Sequence, residues 1–426
     1  MKVINIGLIG FGTIGSGVAD YLFKNASGLN KKTGFNFKLA RIAEKNSKKV
    51  PTKYKNLLTS AENVINSSDV DVVIELIGGI NPAKDYILRA LRNKKHVITA
   101  NKALLAEYGE LLFKTAEKEN VSLKFEASVG GGIPIISSLG DSLIANEIES
   151  ILGIVNGTSN YILTIMEEED IPMKKALAIA RNKGYVEKNP LLDLEGIDSA
   201  HKLAILIKLA FGFMPKFSRI YCEGITHISS LDIKYALESG YRIKLLAVAK
   251  KKSKDEIEAR VHPALLPLTH MLSSVRGVFN AVYVKGNLVG EMVFYGRGAG
   301  RMPSTSAVIS DLVELARCLI NKDCLCRKYR IISPQSLKSI KSLQCRYYIR
   351  FMAVDKPGVL AAISGILSAQ NISIANVIQK ERGAAKSVPI VMMTHEAEET
   401  GMQKALGKIE RLKMITDKPV CIRVEG

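Results

Sequence analysis

The chain has 426 residues, too many for one small core, so two or three domains are expected. Hydrophobic residues make up 47% and charged residues 24% of it, a balance that excludes a disordered chain. The 60 Lys and Arg residues against 41 Asp and Glu give a net charge of +19, yet the lysines are scattered in short clusters such as Lys31-Lys32 and Lys250 to Lys252. With no long basic tail and no aromatic-interleaved basic motif, this reads as a Lys-rich solvated surface, and no nucleic-acid partner is expected. Of the six cysteines only Cys324 and Cys326 lie close together, and none has the spacing of a zinc site, so reduced thiols in a cytoplasmic protein are expected. No stretch reaches the ~20 apolar residues of a membrane helix, and no membrane partner is expected.

Residues 3 to 9 form an apolar run, followed at once by Gly10-Phe11-Gly12-Thr13-Ile14-Gly15 and a helical pattern through Val18, Ala19 and Leu22. Strand, glycine-rich turn and helix in this order predict a dinucleotide cradle. Gly10 permits the tight turn, Gly12 lets the backbone approach a pyrophosphate, and Gly15 allows close helix–strand packing. A second strand, 37 to 42, should meet the adenosine ribose. Arg41 at its end, with Lys45, Lys48 and Lys49 behind it, reads as a preference for NADP over NAD; a surface arginine is the competing reading. Strands at 70–77 and 96–99 and helices at 82–93 and 103–119 continue the alternation. They predict an α/β domain with a doubly wound, Rossmann-type parallel sheet over 1–134. Two strand ends are polar, Glu75-Leu-Ile-Gly-Gly-Ile-Asn-Pro82 and Thr99-Ala-Asn-Lys102, and Lys102 is placed to project into the cofactor crevice.

Phe125-Glu-Ala-Ser-Val-Gly-Gly-Gly-Ile-Pro134 follows. By residue type it is a hinge between domains, although three successive glycines also leave carbonyls free to turn onto a hard cation. Between 135 and 302 the expected elements are a strand at 148–155, the turn Asn156-Gly157-Thr158-Ser159-Asn160, helices at 161–168 and 173–183, and strands at 243–249, 257–261, 279–284 and 288–295. These elements predict an α+β domain over 135–302 built around an open sheet, a surface able to serve also as a dimer interface. Within it, Gly184 to Lys202 concentrates polar chemistry. Glu187, Asp193 and Glu195 lie in a turn-rich segment where they can converge on a ligand, and Asp198 and Lys202 stand four apart on one face at the start of a helix. A helix at 303–320 is expected to complete the nucleotide domain. Residues 321–344 read as a solvated basic linker. From 345 to 426 the order strand, helix, strand, strand, helix, strand predicts a ferredoxin-like βαββαβ domain.

Gly184-Tyr185-x-Glu187, the acidic loop with Asp193, and Asp198-x-x-x-Lys202, together with Thr99-Ala-Asn-Lys102 and the triple-glycine loop, resemble homoserine dehydrogenases along nearly the whole chain. Lys188-Asn189-Pro190 departs from the Ala-Asp-Pro common in that family. Asp355-Lys-Pro-Gly-Val-Leu360 and Asn371-Ile-Ser-Ile374 resemble the ACT domain, a small-molecule sensing module; a dimerisation module that binds nothing is the competing reading. The resemblance implies reduction of L-aspartate 4-semialdehyde to L-homoserine, with Lys202 as proton donor assisted by Asp198 and Lys102. Glu187 and Asp193 would bind substrate, and Thr99, Lys102 and Gly300 would lie against the cofactor. It also implies a sodium ion on Glu126, Val129, Gly131 and Ile133, a homodimer or homotetramer, and L-threonine as an effector of the C-terminal domain. Another Rossmann amino-acid dehydrogenase and a non-enzymatic nucleotide or amino-acid sensor are the alternatives.

Overall fold

The computed structural model describes residues 2–186, 189–320, 336–379 and 387–426. The chain divides into two compact units, one of Met1–Ile151, Ala200–Ile220 and Asn280–Gln335, the other of Leu152–Ser199, Tyr221–Phe279 and Ser336–Gly426. The segment expected as a single catalytic domain over 135–302 is therefore shared between both units.

The first unit is built on strands β1 (Lys2–Ile9), β2 (Phe35–Ala43), β3 (Leu58–Thr59), β4 (Val72–Glu75), β5 (His96–Thr99) and β6 (Leu123–Lys124). They pair in parallel in the order β3-β2-β1-β4-β5-β6, the doubly wound arrangement. All four residues of β4 are buried, as the run of Val, Val and Ile demands of a strand covered on both faces. The helices between strands are α1 (Thr13–Thr33), α2 (Ala61–Asn66), α3 (Ala83–Arg92) and α4 (Lys102–Glu119). α1 stops at Gly34, whose left-handed φ of 81° lets its N–H close back onto the Asn30 carbonyl. A later helix, Arg301–Ile320, packs along α1 and places Val308, Leu312, Leu315 and Ala316 in one core with Ile6, Leu8, Val18 and Leu22. Gly17 makes this approach possible, since a methyl group there would stand 2.3 Å from the Thr305 hydroxyl. None of the described helices is long and apolar enough to cross a membrane.

In the second unit, strands Tyr241–Lys251 and Glu256–Pro267 form a long antiparallel hairpin. The C-terminal module follows as Tyr347–Val354, helix Val359–Ser368, Ile374–Gln379, Ser387–Thr394, helix Glu399–Ile409 and Val420–Val424. The last strand lies beside the first, and the third separates the first from the second, the ferredoxin-like order. One edge of this small sheet is paired with the hairpin. Val420–Val424 pairs in parallel with Glu256–Pro267 through Ala264↔Arg423 and Leu265↔Val424, so the two sheets are continuous. The described part of the expected linker is more ordered than a solvated connector: Ser336 and Leu337 add a further short strand beside Glu256 and Ile257.

Buried ion pairs fasten the module to the rest of this unit. Arg423 holds both Glu399 oxygens, at 2.6 and 2.8 Å, and reaches Glu223 at 2.7 Å. Burial acts to raise the Glu399 carboxyl, but the Arg423 hydrogen bonds and charge outweigh it and hold the group below the usual carboxylate range. Arg350 donates to both oxygens of Asp232, at 2.6 and 3.1 Å, and the same carboxylate joins Ser229 in the capping box of helix Ser230–Glu238. Asp232→Ala should remove about 3–5 kcal/mol of stability, because it strands a buried guanidinium and strips a cap. Guanidinium chloride unfolding measures the loss. Asp232→Ala combined with Arg350→Met should recover part of it, and an unchanged midpoint in the single variant would show that the pair contributes nothing.

Candidate functional site

The three glycines of the first turn have three separate jobs. Gly10 has φ of 100°, a region closed to side chains, and its N–H donates to Ala43 at 2.8 Å, which ties the end of β1 to the end of β2. A methyl group on Gly15 would stand 2.1 Å from the Gly10 carbonyl oxygen, so only glycine lets α1 leave the strand at this angle. Around Gly12 there is open space, and it precedes Thr13, the first residue of α1, whose N-terminus offers unpaired N–H groups to an anion. A cavity of about 570 Å³ opens here, lined among others by Gly10, Gly12, Glu44, Thr59, Ile77 and Tyr86. Its shape and donors fit a dinucleotide. The Phe11 ring is buried against Tyr54 and Ile14 packs on the same core, so these two residues have only main chain to offer a ligand.

Arg41 is not part of this cavity lining. β2 runs on to Ala43, and a register shift opposite Ile6 and Gly7 re-aims the residues that follow. Arg41 instead forms a two-point pair with Asp69, at 3.1 and 3.0 Å. From the end of β2 and the segment after it, Ala43, Glu44, Lys45 and Lys49 line the cavity.

The polar ends of β4 and β5 are joined by a chain of hydrogen bonds. Glu75 is fully buried, accepts the Ile77 N–H at 2.8 Å and the Thr99 hydroxyl at 2.7 Å, and its pKa is raised by burial. The Thr99 oxygen in turn accepts the Asn101 N–H at 3.0 Å. Asn101 donates to the Gly79 carbonyl at 2.6 Å and caps α4 by accepting the Leu104 N–H at 3.2 Å. The Thr99 hydroxyl is thus engaged within the protein, where it holds two loops together, and Lys102 is fixed as the first residue of the capped helix. The sequence marked both strand ends but not the bonds between them.

In the other unit Asn156 performs a similar task. Its amide donates to Asp193 at 2.7 Å and to Asp198 at 2.9 Å, while its oxygen accepts the Ser159 N–H and caps helix Gly157–Glu169. The sequence identified this residue only as part of a turn; an N-cap asparagine facing an acidic loop is the signal that was available. Asp198 lies in the first turn of helix Ile197–Phe211, where the positive end of the helix dipole favours a carboxylate, and Lys202 follows one turn later on the same face. Both are buried, with 6% and 7% exposure. Glu195 does not converge with these acids; it accepts the Thr226 hydroxyl at 3.0 Å. Glu187 and Lys188 lie outside the described residues.

The triple-glycine loop belongs to the first unit. Both Glu126 oxygens accept N–H groups, from Ile136 and Ser137 at 2.8 Å each, which fixes the carboxylate beneath the loop. Its own N–H donates to Asp311, a buried carboxyl whose pKa is pushed well up by burial. Val129 is extended, Gly131 has φ of 58°, and a methyl group on Gly131 would stand 2.6 Å from the Gly298 backbone. Ile133 closes the turn through its N–H to Gly130. Nearby, Asn280 touches Gly298 and is 1% exposed with neither amide atom paired, which suits a loop that takes a polar guest. Gly300, with φ of 124°, leads into the helix Arg301–Ile320. Among the described residues no group of three or more His, Cys, Asp and Glu side chains is placed to hold a metal ion.

Comparison with known proteins agrees along the chain. Residues 10–126 match the model of the homoserine dehydrogenase NAD binding domain, residues 134–313 that of homoserine dehydrogenase, and residues 347–413 the ACT domain. The homoserine dehydrogenase of Neisseria gonorrhoeae is 42% identical, with 100% of this chain and 99% of that one covered. That of Helicobacter pylori is also 42% identical, with both chains fully covered. The crystal structure of a homoserine dehydrogenase from Thiobacillus denitrificans superposes with a TM-score of 0.92 at 40% identity, covering 100% of this chain and 99% of that one. With the cradle, the capped Lys102 helix and the Asn156-linked aspartates in place, this chain belongs to the homoserine dehydrogenase family and carries a C-terminal ACT domain.

Proposed function

We propose that the chain catalyses the reversible reduction of L-aspartate 4-semialdehyde to L-homoserine, a step of threonine, methionine and isoleucine biosynthesis. The observation that carries this reading is the Asn156 amide, which holds Asp193 and Asp198 at the head of the helix bearing Lys202. When bound, the reduced nicotinamide supplies a hydride to the aldehyde carbon. Lys202 gives a proton to the carbonyl oxygen as that bond forms, and Asp198 holds the lysine's charge or a bridging water. Lys102 neutralises the developing alkoxide, Glu187 takes the substrate ammonium, and Asp193 supports the polar pocket. In a site dried by burial, such charges act more strongly than in water.

Main-chain oxygens of Glu126, Val129, Gly131 and Ile133 would hold a sodium ion, a role supported by the left-handed turn of the loop at Gly130 and Gly131. The C-terminal module would bind L-threonine and lower the rate, the enzyme working as a homodimer or homotetramer. A cavity of about 450 Å³ beside Asp355, Gly358 and Gln379 supports the effector role.

The direct test is homoserine-dependent reduction of NAD or NADP by the purified protein, followed by near-ultraviolet absorbance; no turnover with either nucleotide sinks the reading. Lys202→Met should lower kcat by ~10²–10⁴-fold with little change in the KM for homoserine, the signature of a group acting in proton transfer. Thr99→Val should cost up to ~10²-fold in kcat by loosening the loop before Lys102, while Thr99→Ser, which keeps the hydroxyl, should retain most activity. L-Threonine should inhibit the wild type, and Asp355→Ala should abolish inhibition while leaving the uninhibited rate intact; a wild type indifferent to threonine would refute the effector assignment.

A further inference from the structure

The first residue after β2 bears on which nicotinamide cofactor the chain accepts. We propose that Glu44 makes this protein prefer NAD to NADP, its carboxylate accepting the ribose 2′-hydroxyl and repelling a 2′-phosphate; the inference rests on the reading of the Gly10–Gly15 cavity as a dinucleotide site.

Glu44 lines the cavity together with Gly10 and Gly12, and its carboxylate is anchored on two sides. One oxygen accepts the Phe11 N–H at 2.8 Å, within the glycine turn itself, and the other accepts the Asn46 N–H at 3.0 Å. A carboxylate has about four acceptor directions, so two such bonds fix its position and leave capacity for ribose hydroxyls. Burial acts to raise its pKa, but the Asn46 and Phe11 N–H groups and the charge of Lys49 outweigh this and hold it below the usual range, so the group is anionic at neutral pH.

The cations that would welcome a phosphate are placed less favourably. Arg41 is bound by both oxygens of Asp69 and is absent from the cavity lining. Lys45 and Lys49 do line it, but both are exposed ammonium groups on flexible stems, screened by solvent, and the charge of Lys49 already acts on Glu44. A doubly charged phosphate beside this fixed carboxylate is repelled by it, whereas a neutral hydroxyl gains a charge-assisted hydrogen bond.

Two readouts test this, one of them independent of turnover. Titration of the purified chain with NADH and with NADPH, read by the fluorescence of the bound nicotinamide, should give at least about tenfold tighter binding of NADH. The ratio of kcat/KM for NAD over NADP with homoserine should lean the same way. Glu44→Gln keeps the size and an acceptor oxygen but removes the charge and should abolish most of the preference; Glu44→Asp should retain it. Tighter binding of NADPH by the wild type, or an unchanged ratio in Glu44→Gln, overturns the role of Glu44 alone. No saturable response to either nucleotide overturns it together with the cradle, and NADH-selective binding without homoserine turnover supports Glu44 while refuting the proposed reaction.

Discussion

The Gly10 carbonyl oxygen lies so close to Gly15 that a methyl group there would be 2.1 Å away, and this contact sets the geometry at the end of β1. Because the helix leaves the strand without room for a side chain, its N-terminus points into the space that Gly12 leaves open. The same turn holds the Phe11 N–H where Glu44 can accept it, and the Gly10 N–H where Ala43 can. Side chains approach the turn itself only as far as three glycines permit, so the backbone N–H groups there stay open to a ligand.

A second constraint is that polar groups buried at strand ends must be satisfied, and the sequence uses that requirement to place chemistry. Glu75 is removed from water, which raises the cost of its charge, yet it is hydrogen-bonded by Ile77 and Thr99. The bonds run on through Asn101 to Gly79 and to the first turn of α4. A lysine at that position inherits the rigidity of the network. Asn156 does the same for two aspartates: one amide, itself held by a helix cap, sets the separation of two carboxylates that would otherwise repel each other.

Much of this was legible in the sequence wherever the signal is local. The glycine turn, the Thr99-Ala-Asn-Lys102 strand end, the Asp198-x-x-x-Lys202 spacing and the βαββαβ order of the C-terminal module are patterns of neighbouring residues, and periodicity exposes them. Arg41 shows where this fails. A bulge of one residue in β2 changes which side chains face the cavity, and nothing in the alternation of Phe37, Leu39 and Arg41 announces it. Glu195 shared a loop with Asp193 yet faces Thr226, because Asp193 lies in the short helix Leu191–Leu194 that Glu195 closes, and residues two apart on a helix point to different sides. The ordering of Ser336 and Leu337 depends on a partner strand some 80 residues away, beyond any local pattern.

The C-terminal module illustrates how a sensing fold can be coupled to its host through strand pairing. A ferredoxin-like sheet ends in an edge strand with unpaired N–H and C=O groups, and here those groups are satisfied by Glu256–Pro267. The pairing alone would tolerate slippage along the strand. Arg423 removes that freedom, since it is held by Glu399 of the module on one side and Glu223 of the preceding segment on the other, and Glu425 pairs with Lys250 at 2.7 Å and with Arg260. A shift by one residue would turn these charged side chains to the opposite face and leave them buried without partners, which costs far more than the lost ladder bonds. Strand register in this unit is therefore set electrostatically, and a change in the module's first strand, Tyr347–Val354, bears through Val420–Val424 on the hairpin beside it.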